Sequence, residues 1–152
     1  MKPKFIAILL LAVLFSCDKS TVFKAFDSSF AENRWQRTDV KTYDVVIEKE
    51  GVYNLEIDFS YVAGMQFAEI PIYFQFINPA GAIETKDIIL QTKDDKGGDV
   101  GDCAGDYCDM THEVFRSKTL QPGAYKVRLT NAFNHDYLPN VIGIGIRLSK
   151  AE

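Results

Sequence analysis

A strict two-residue alternation of apolar and polar side chains runs from residue 53 to residue 61. The odd positions hold the apolar and aromatic residues Tyr53, Leu55, Ile57, Phe59 and Tyr61. Because successive side chains of a β-strand point to opposite faces, this pattern predicts a strand with one buried and one solvated face. After position 40, no segment of ten or more residues has the 3.6-residue period of an amphipathic helix. The pattern therefore favours antiparallel β-structure.

Further strands are predicted where short apolar or β-branched segments lie between Gly, Pro and Asn turns: residues 43–48, 72–77, 83–92, 125–130 and 141–148. The turn signal at 78–81 makes 70–92 a hairpin, and the uniformly apolar segment 72–77 is expected to be covered on both faces. Gly143 and Gly145 are expected to allow a neighbouring side chain to pack closely. Several short strands separated by turns indicate a β-sandwich or barrel, and we predict an all-β, antiparallel, jelly-roll-like sandwich.

The N-terminus has the features of a secretory signal. Lys2 and Lys4 precede an unbroken apolar run at residues 5–15, which Ser16 and Cys17 follow. Eleven helical residues rise about 16 Å, too little for a hydrocarbon core of roughly 30 Å. We predict a signal peptide at residues 1–16; the alternative is a buried N-terminal helix or strand.

Residues 14–17 (LFSC) resemble the bacterial lipobox, in which the cysteine becomes the acylated first residue of the mature protein. Phe15 stands where a small residue is more usual. Acylation of Cys17 would supply several acyl chains, which exceeds the two signals that stable anchoring requires. The predicted organisation is a signal peptide at 1–16, the lipidated Cys17 with a tether at 17–37, and a sandwich domain at 38–152. The aromatic residues between positions 23 and 35 suggest that the second half of the tether packs onto the domain.

Charge argues against nucleic acid as a partner. The chain of 152 residues has a formal net charge of −4. Removal of Lys2 and Lys4 with the signal leaves 15 basic against 21 acidic residues, a net charge of −6. No basic stripe is available to neutralise a phosphate backbone, so we expect no nucleic-acid binding.

The segment 94–109 (DDKGGDVGDCAGDYCD) interrupts the strand pattern with six Asp, four Gly and two Cys. We favour a solvated acidic loop closed by a Cys103–Cys108 disulfide, because an envelope protein folds in an oxidising compartment. A second interpretation is a Ca²⁺ site with oxygen ligands from Asp95, Asp99, Asp102, Asp106 and Asp109. A third is a Zn²⁺ site formed by Cys103, Cys108 and His112.

Catalysis finds little support in the sequence. His112 and His135 are the two histidines, and a lone His is more often structural than a general base. No G-x-S-x-G elbow, H-E-x-x-H pair or phosphate-binding glycine loop is present. We therefore expect no enzyme activity, no catalytic residue and no cofactor.

Most of the chain resembles the family of the gliding motility lipoprotein GldH. The resemblance begins at Cys17, continues through 33–40 (NRWQRTDV) and the Gly-Asp loop at 97–106, and is clearest in the final third. That third contains 122–125 (PGAY), 129–134 (LTNAFN) and 138–147 (LPNVIGIGIR); residues 131–134 depart from the usual pattern of relatives. The cysteine pair at 103 and 108 is not a family feature.

The resemblance implies an envelope lipoprotein of the gliding machinery that is linked to type IX secretion. It implies attachment to a membrane through Cys17, at the periplasmic face of the outer membrane, and contact with other envelope motility or secretion proteins. The alternative is a lipid-anchored glycan-binding sandwich that uses exposed aromatics, with Trp35, Tyr73, Tyr107 and Tyr137 as candidates. Trp35 is expected instead to pack at the sandwich edge, because a lone Trp is a poor platform.

Overall fold

Alternating segments of the sequence form the strands of a computed structural model, which describes residues 20–152. The predicted signal peptide, 1–16, and Cys17 lie outside the described residues. The strands are β1 Thr21–Asp27, β2 Trp35–Gln36, β3 Lys41–Ile47, β4 Gly51–Val62, β5 Glu69–Ile77, β6 Ile83–Gln91, β7 Asp102–Ala104, β8 Tyr107–Leu120, β9 Gly123–Asn131, β10 Tyr137–Leu138 and β11 Val141–Lys150. A 3-10 turn at Ala31–Asn33 follows β1. Within the described chain, no helix has the length and apolar character needed to cross a bilayer.

The long strands form two antiparallel sheets. The first sheet has the order β1-β11-β4-β8-β7, and the second has the order β3-β9-β5-β6. The chain repeatedly crosses from one sheet to the other, so that β3, β4 and β5 lie in the second, first and second sheets in turn. Two four-stranded sheets connected in this way form a jelly roll, with β7 as an addition at one edge. The predicted all-β sandwich is confirmed.

The core lies between the two sheets and consists of the inward faces of their strands. In β4, the five alternating residues from Tyr53 to Tyr61 are all buried. Tyr125, Val127 and Leu129 of β9 are also buried, as their alternation predicts. Each fully buried side chain of this size stabilises the fold by about 1.5–3 kcal/mol relative to an exposed one. The alternation therefore identified the core-facing side of these strands correctly.

The predicted hairpin at 70–92 is present as β5 and β6, which pair from Glu69 opposite Gln91 to Ile77 opposite Ile83. The prediction that 72–77 is covered on both faces is wrong. Ile72, Phe74 and Phe76 are buried, but Tyr73 on the opposite face is 37% exposed. Both sheets have one face on the core, so β5 is half-buried despite its apolar sequence.

The region expected to be a tether contributes a strand. Thr21–Asp27 forms β1 at the edge of the first sheet and pairs with β11. Phe23 and Ala25 pack against the core, while Val22, Lys24 and Phe26 point outward. The expected tether therefore does not extend past Ser20. The second half packs onto the domain as expected, since Phe30 and Trp35 are both buried.

Candidate functional site

The outer face of the first sheet has an open groove of about 700 Å³. Side chains of β1, β4, β8 and β11 line it, and the loop at 100–102 forms one wall. Its lining residues with polar or charged side chains are Lys24, Asp58, Ser60, Asp102, Asp109, Thr111 and Arg147. A groove of this volume is large enough to admit a small molecule.

Two glycines of β11 lie against Phe26, which lines the groove. A Cβ atom added to Gly143 would lie 2.2 Å from the Phe26 ring, and one added to Gly145 would lie 2.1 Å from the carbonyl oxygen of Ala25. A side chain at either position would collide with β1. The prediction that these glycines allow close packing by a neighbour is confirmed, and the neighbour is Phe26.

Five of the polar groups in the groove are bound to one another in two sets. The Arg147 guanidinium pairs with the Asp58 carboxylate, and Thr111 Oγ1 donates a hydrogen bond of 2.9 Å to Asp58 Oδ1. Ser60 donates to the Asp109 carboxylate. These contacts join β4, β8 and β11 across the face of the sheet. The arrangement is suited to holding neighbouring strands together.

A second charged cluster joins the two sheets where their edge strands β1 and β3 lie next to each other. Lys41 at the start of β3 is buried, and its Nζ lies 2.7 Å from both Asp27 Oδ2 and Asp39 Oδ2. The same ammonium lies 4.5 Å from the centre of the Phe30 ring. The Lys41 hydrogen bond lowers the pKa of Asp27 to about 2. Burial opposes the charge of Lys41, but the two carboxylates outweigh burial and raise its pKa.

The acidic segment is closed by a disulfide between Cys103 and Cys108. These cysteines face each other in the hairpin of β7 and β8, whose two-residue turn has Gly105 at a positive φ of 62°. Gly is favoured at this first turn position in tight hairpins. Zinc binds thiolates, and two sulfurs joined to each other are not available as thiolates. His112 lies partly buried on β8, where burial lowers its pKa.

The five Asp residues considered for Ca²⁺ are not gathered in one place. Asp99 pairs with Lys93 Nζ at 2.6 Å and accepts a hydrogen bond from the Gly64 N–H at 2.7 Å. The Lys93 hydrogen bond lowers the pKa of Asp99. Over residues 20–152, the one group of three candidate ligands within reach of a common ion is Asp99 with the two disulfide cysteines. The carboxylates therefore do not form an oxygen cage.

The four aromatic candidates for glycan binding are dispersed. Trp35 is fully buried, and its Nε1 donates a hydrogen bond of 2.7 Å to the Asp39 carbonyl oxygen. Trp35 is therefore packed inside the domain and presents no exposed ring. The Arg34 guanidinium covers the Tyr137 ring at 4.8 Å. Tyr73 and Tyr107 are exposed but belong to different sheets. The four residues do not supply a pair of rings on one concave face.

The sequence interpretation missed the Asp58–Arg147 pair and the Lys41 cluster. A partial signal was present, because the alternation places Asp58 on the outer face of β4 and Arg147 on the outer face of β11. The register of these strands brings the two residues to neighbouring positions, with Asp58 opposite Gly145 and Glu56 opposite Arg147. Strand register is not encoded in the alternation of one strand, so the pairing was not predictable.

Comparison with solved structures finds weak likenesses. A family 35 carbohydrate binding module from Clostridium thermocellum has a TM-score of 0.39 and 15% identity, over 73% of this chain and 71% of that chain. Eiger TNF from S. frugiperda has a TM-score of 0.38 and 14% identity, over 72% of this chain and 64% of that chain. At TM-scores this low, neither likeness supports an inference about ligands or function. No curated protein matches the chain.

The family comparison is decisive for the identity of the chain. The GldH lipoprotein model matches residues 22–148, which include all of β2 to β10 and nearly all of β1 and β11. The match thus covers nearly the whole sandwich. The chain belongs to the GldH lipoprotein family, whose members are gliding-motility-associated lipoproteins anchored at a membrane of the cell envelope.

Proposed function

We propose that this protein, acylated at Cys17 after removal of residues 1–16, is a non-catalytic component of the gliding machinery that is linked to type IX secretion. The observation that carries the proposal is the GldH lipoprotein match over nearly the entire sandwich. The proposed location is the periplasmic face of the outer membrane. The proposed partners are other envelope motility or secretion proteins.

The internal pairing of the polar groups supports a non-catalytic role. Asp58 is held by Arg147 and Thr111, and Asp109 is held by Ser60. Each of these contacts joins a side chain of β4 to a side chain of a neighbouring strand, so the groups contribute to the cohesion of the sheet. The alternative of a glycan-binding module requires a platform of exposed rings, and the four aromatic candidates do not provide one.

The motility role is tested in a gliding strain that carries this gene. Deletion should abolish colony spreading, and a copy with Cys17→Ala should fail to restore it because the protein loses its anchor. A copy with Ser16→Ala is the matched control, because it keeps a small residue before the cysteine and should restore spreading. Unchanged spreading in the deletion strain would contradict the motility role.

The non-catalytic role has its own test in the same strain. Ser60 and Thr111 provide the two hydroxyl groups that line the groove. A copy with Ser60→Ala and Thr111→Val should restore spreading in full, provided that immunoblots give normal protein levels. Loss of spreading with a stable, correctly located protein would indicate chemistry in the groove.

A further inference from the structure

We propose that the end of the sandwich where β1 begins rests directly on the phospholipid surface. In this arrangement Val22 and Val46 contact the membrane interface, and Lys49 and Lys150 contact anionic headgroups. The inference deepens the proposed function and depends on acylation at Cys17. The occupant of this surface is a bilayer that contains anionic phospholipid.

The length of chain before the sandwich limits how far the domain can stand from its anchor. The backbone N–H of Lys150 donates a hydrogen bond of 2.8 Å to the carbonyl oxygen of Ser20. The chain is therefore attached to the domain at Ser20, three residue steps after Cys17. Three fully extended steps span at most about 11 Å. An acylated Cys17 would thus hold this end of the sandwich within about 11 Å of the lipid surface.

The surface at this end has the composition of a membrane-interfacial contact. Val46 is 68% exposed and Val22 is 43% exposed. Both line one depression of about 320 Å³, together with the exposed Lys49 and Lys150 and with one acidic residue, Glu48. Apolar side chains next to lysines combine interfacial burial with attraction to anionic lipids. Both valines leave apolar surface in water, and that surface would gain from contact with a bilayer.

The charge distribution along the strands favours the same orientation. Strand β4 runs from Gly51, opposite Leu120, to Val62, opposite Tyr107. Its 12 residues span about 40 Å. The β1 start lies at the Gly51 end, while the acidic segment 94–109 lies at the Val62 end. The Gly51 end has mixed charge, since the exposed Glu48 and Glu50 accompany its lysines. An anionic surface would therefore repel the end with six Asp residues more strongly and favour contact at the Gly51 end.

The test uses the full acylated protein, purified from envelopes and reconstituted into vesicles of phosphatidylethanolamine and phosphatidylglycerol. An environment-sensitive fluorophore is attached to a single new thiol at Val46→Cys, and the lipids carry a quencher. Ile89→Cys is the matched control. Ile89 is 41% exposed on the outer face of the same sheet. Measured along β9, the strand between them, the positions of Val46 and Ile89 are eight residues apart, or about 26 Å.

The fluorescence emission of the label at position 46 should be blue-shifted relative to that at position 89. The lipid-borne quencher should also reduce its intensity several-fold more strongly. Equal quenching at the two positions, in protein that floats with the vesicles, would overturn the orientation while leaving the anchor intact. Protein that does not float would overturn both the anchor and the orientation. Circular dichroism of each labelled variant checks that the sandwich is folded.

Discussion

At the scale of single residues, Lys41 is the one charged residue among residues 20–152 that is buried. A buried ammonium is costly unless it is paired, and here Asp27 and Asp39 both lie 2.7 Å from Nζ. Asp27 ends β1 in the first sheet and Lys41 begins β3 in the second sheet. The Asp27–Lys41 pair therefore connects the edge strands of the two sheets, which share no backbone hydrogen bonds.

The stability of the protein should depend on the Asp27 charge in a defined pH window. The folded pKa of Asp27, about 2, lies below its ordinary value of 3.8. Its contribution is therefore present above pH 3.8 and is lost as the pH falls through about 2. Asp27→Asn should lower the free energy of unfolding at pH 7 by about 1–2 kcal/mol, and the difference should vanish only below about pH 2. Denaturant unfolding at several pH values measures it.

Asp44→Asn is the control for this prediction. Asp44 pairs with Lys126 on the surface, and its side chain is 76% exposed. Exposed ion pairs contribute little, so this variant should differ from the parent by less than about 1 kcal/mol at any pH. A loss at pH 7 that is equal for the two variants would contradict the special role of the Lys41 cluster.

At the scale of elements, β1 is held on β11 by a close backbone approach. Gly145 allows the backbone of Ala25 and Phe26 to approach, and Gly143 accommodates the Phe26 ring. Ala is ordinarily favoured over Gly in a strand by about 0.5–1 kcal/mol. Any loss of stability on substitution therefore reports the contact with β1.

Gly145→Ala and Gly143→Ala should each destabilise the protein by about 1–3 kcal/mol, for different reasons. The new methyl group at 145 meets backbone atoms of β1, whereas that at 143 meets the Phe26 ring. In a Phe26→Ala background, the cost at 143 should fall markedly and the cost at 145 should persist. Thermal unfolding of the double-mutant cycle measures both couplings. Equal costs in both backgrounds at position 143 would contradict the packing described here.

The hairpin of β7 and β8 yields a redox prediction. The disulfide joins residues only five positions apart, and closure of so short a loop contributes about 2 kcal/mol. Reductant should lower the free energy of unfolding of the parent protein by about that amount. It should leave the free energy of unfolding of the double variant Cys103→Ser/Cys108→Ser unchanged. Thiol alkylation of the denatured, unreduced protein checks the bond directly. Two alkylated thiols without reductant would contradict it.

The elements also mark the limit of what the sequence could predict. Residues 53–61 and 125–130 alternate cleanly, so their strands and buried faces were predictable. Residues 21–27 (TVFKAFD) mix apolar and polar side chains on both faces, since β1 is an edge strand whose outer face carries Val22 and Phe26 beside Lys24. That mixture resembled a tether. The mostly apolar segment 72–77 predicted a strand covered on both faces, whereas Tyr73 is exposed in the folded sheet.

At the scale of the whole molecule, the jelly roll separates two ends of different chemistry. One end holds the start of β1 with Val22, Val46 and Lys150, and the other holds the acidic, disulfide-closed segment 94–109. The sequence identified the acidic segment, but strand alternation alone gives neither the sheet order nor which loops share an end. The groove on the first sheet was unpredictable for the same reason, because four separate strands build it.

The central claim is that Cys17 attaches this sandwich to a membrane. Mass spectrometry of the N-terminal peptide of protein purified from native envelopes tests it most directly. The account predicts a peptide that begins at Cys17 and carries a thioether-linked diacylglycerol and an amide-linked acyl chain. Cys17→Ala should accumulate as unacylated precursor that retains residues 1–16. A mature chain that begins at another residue, or a Cys17 without lipid, would contradict the account.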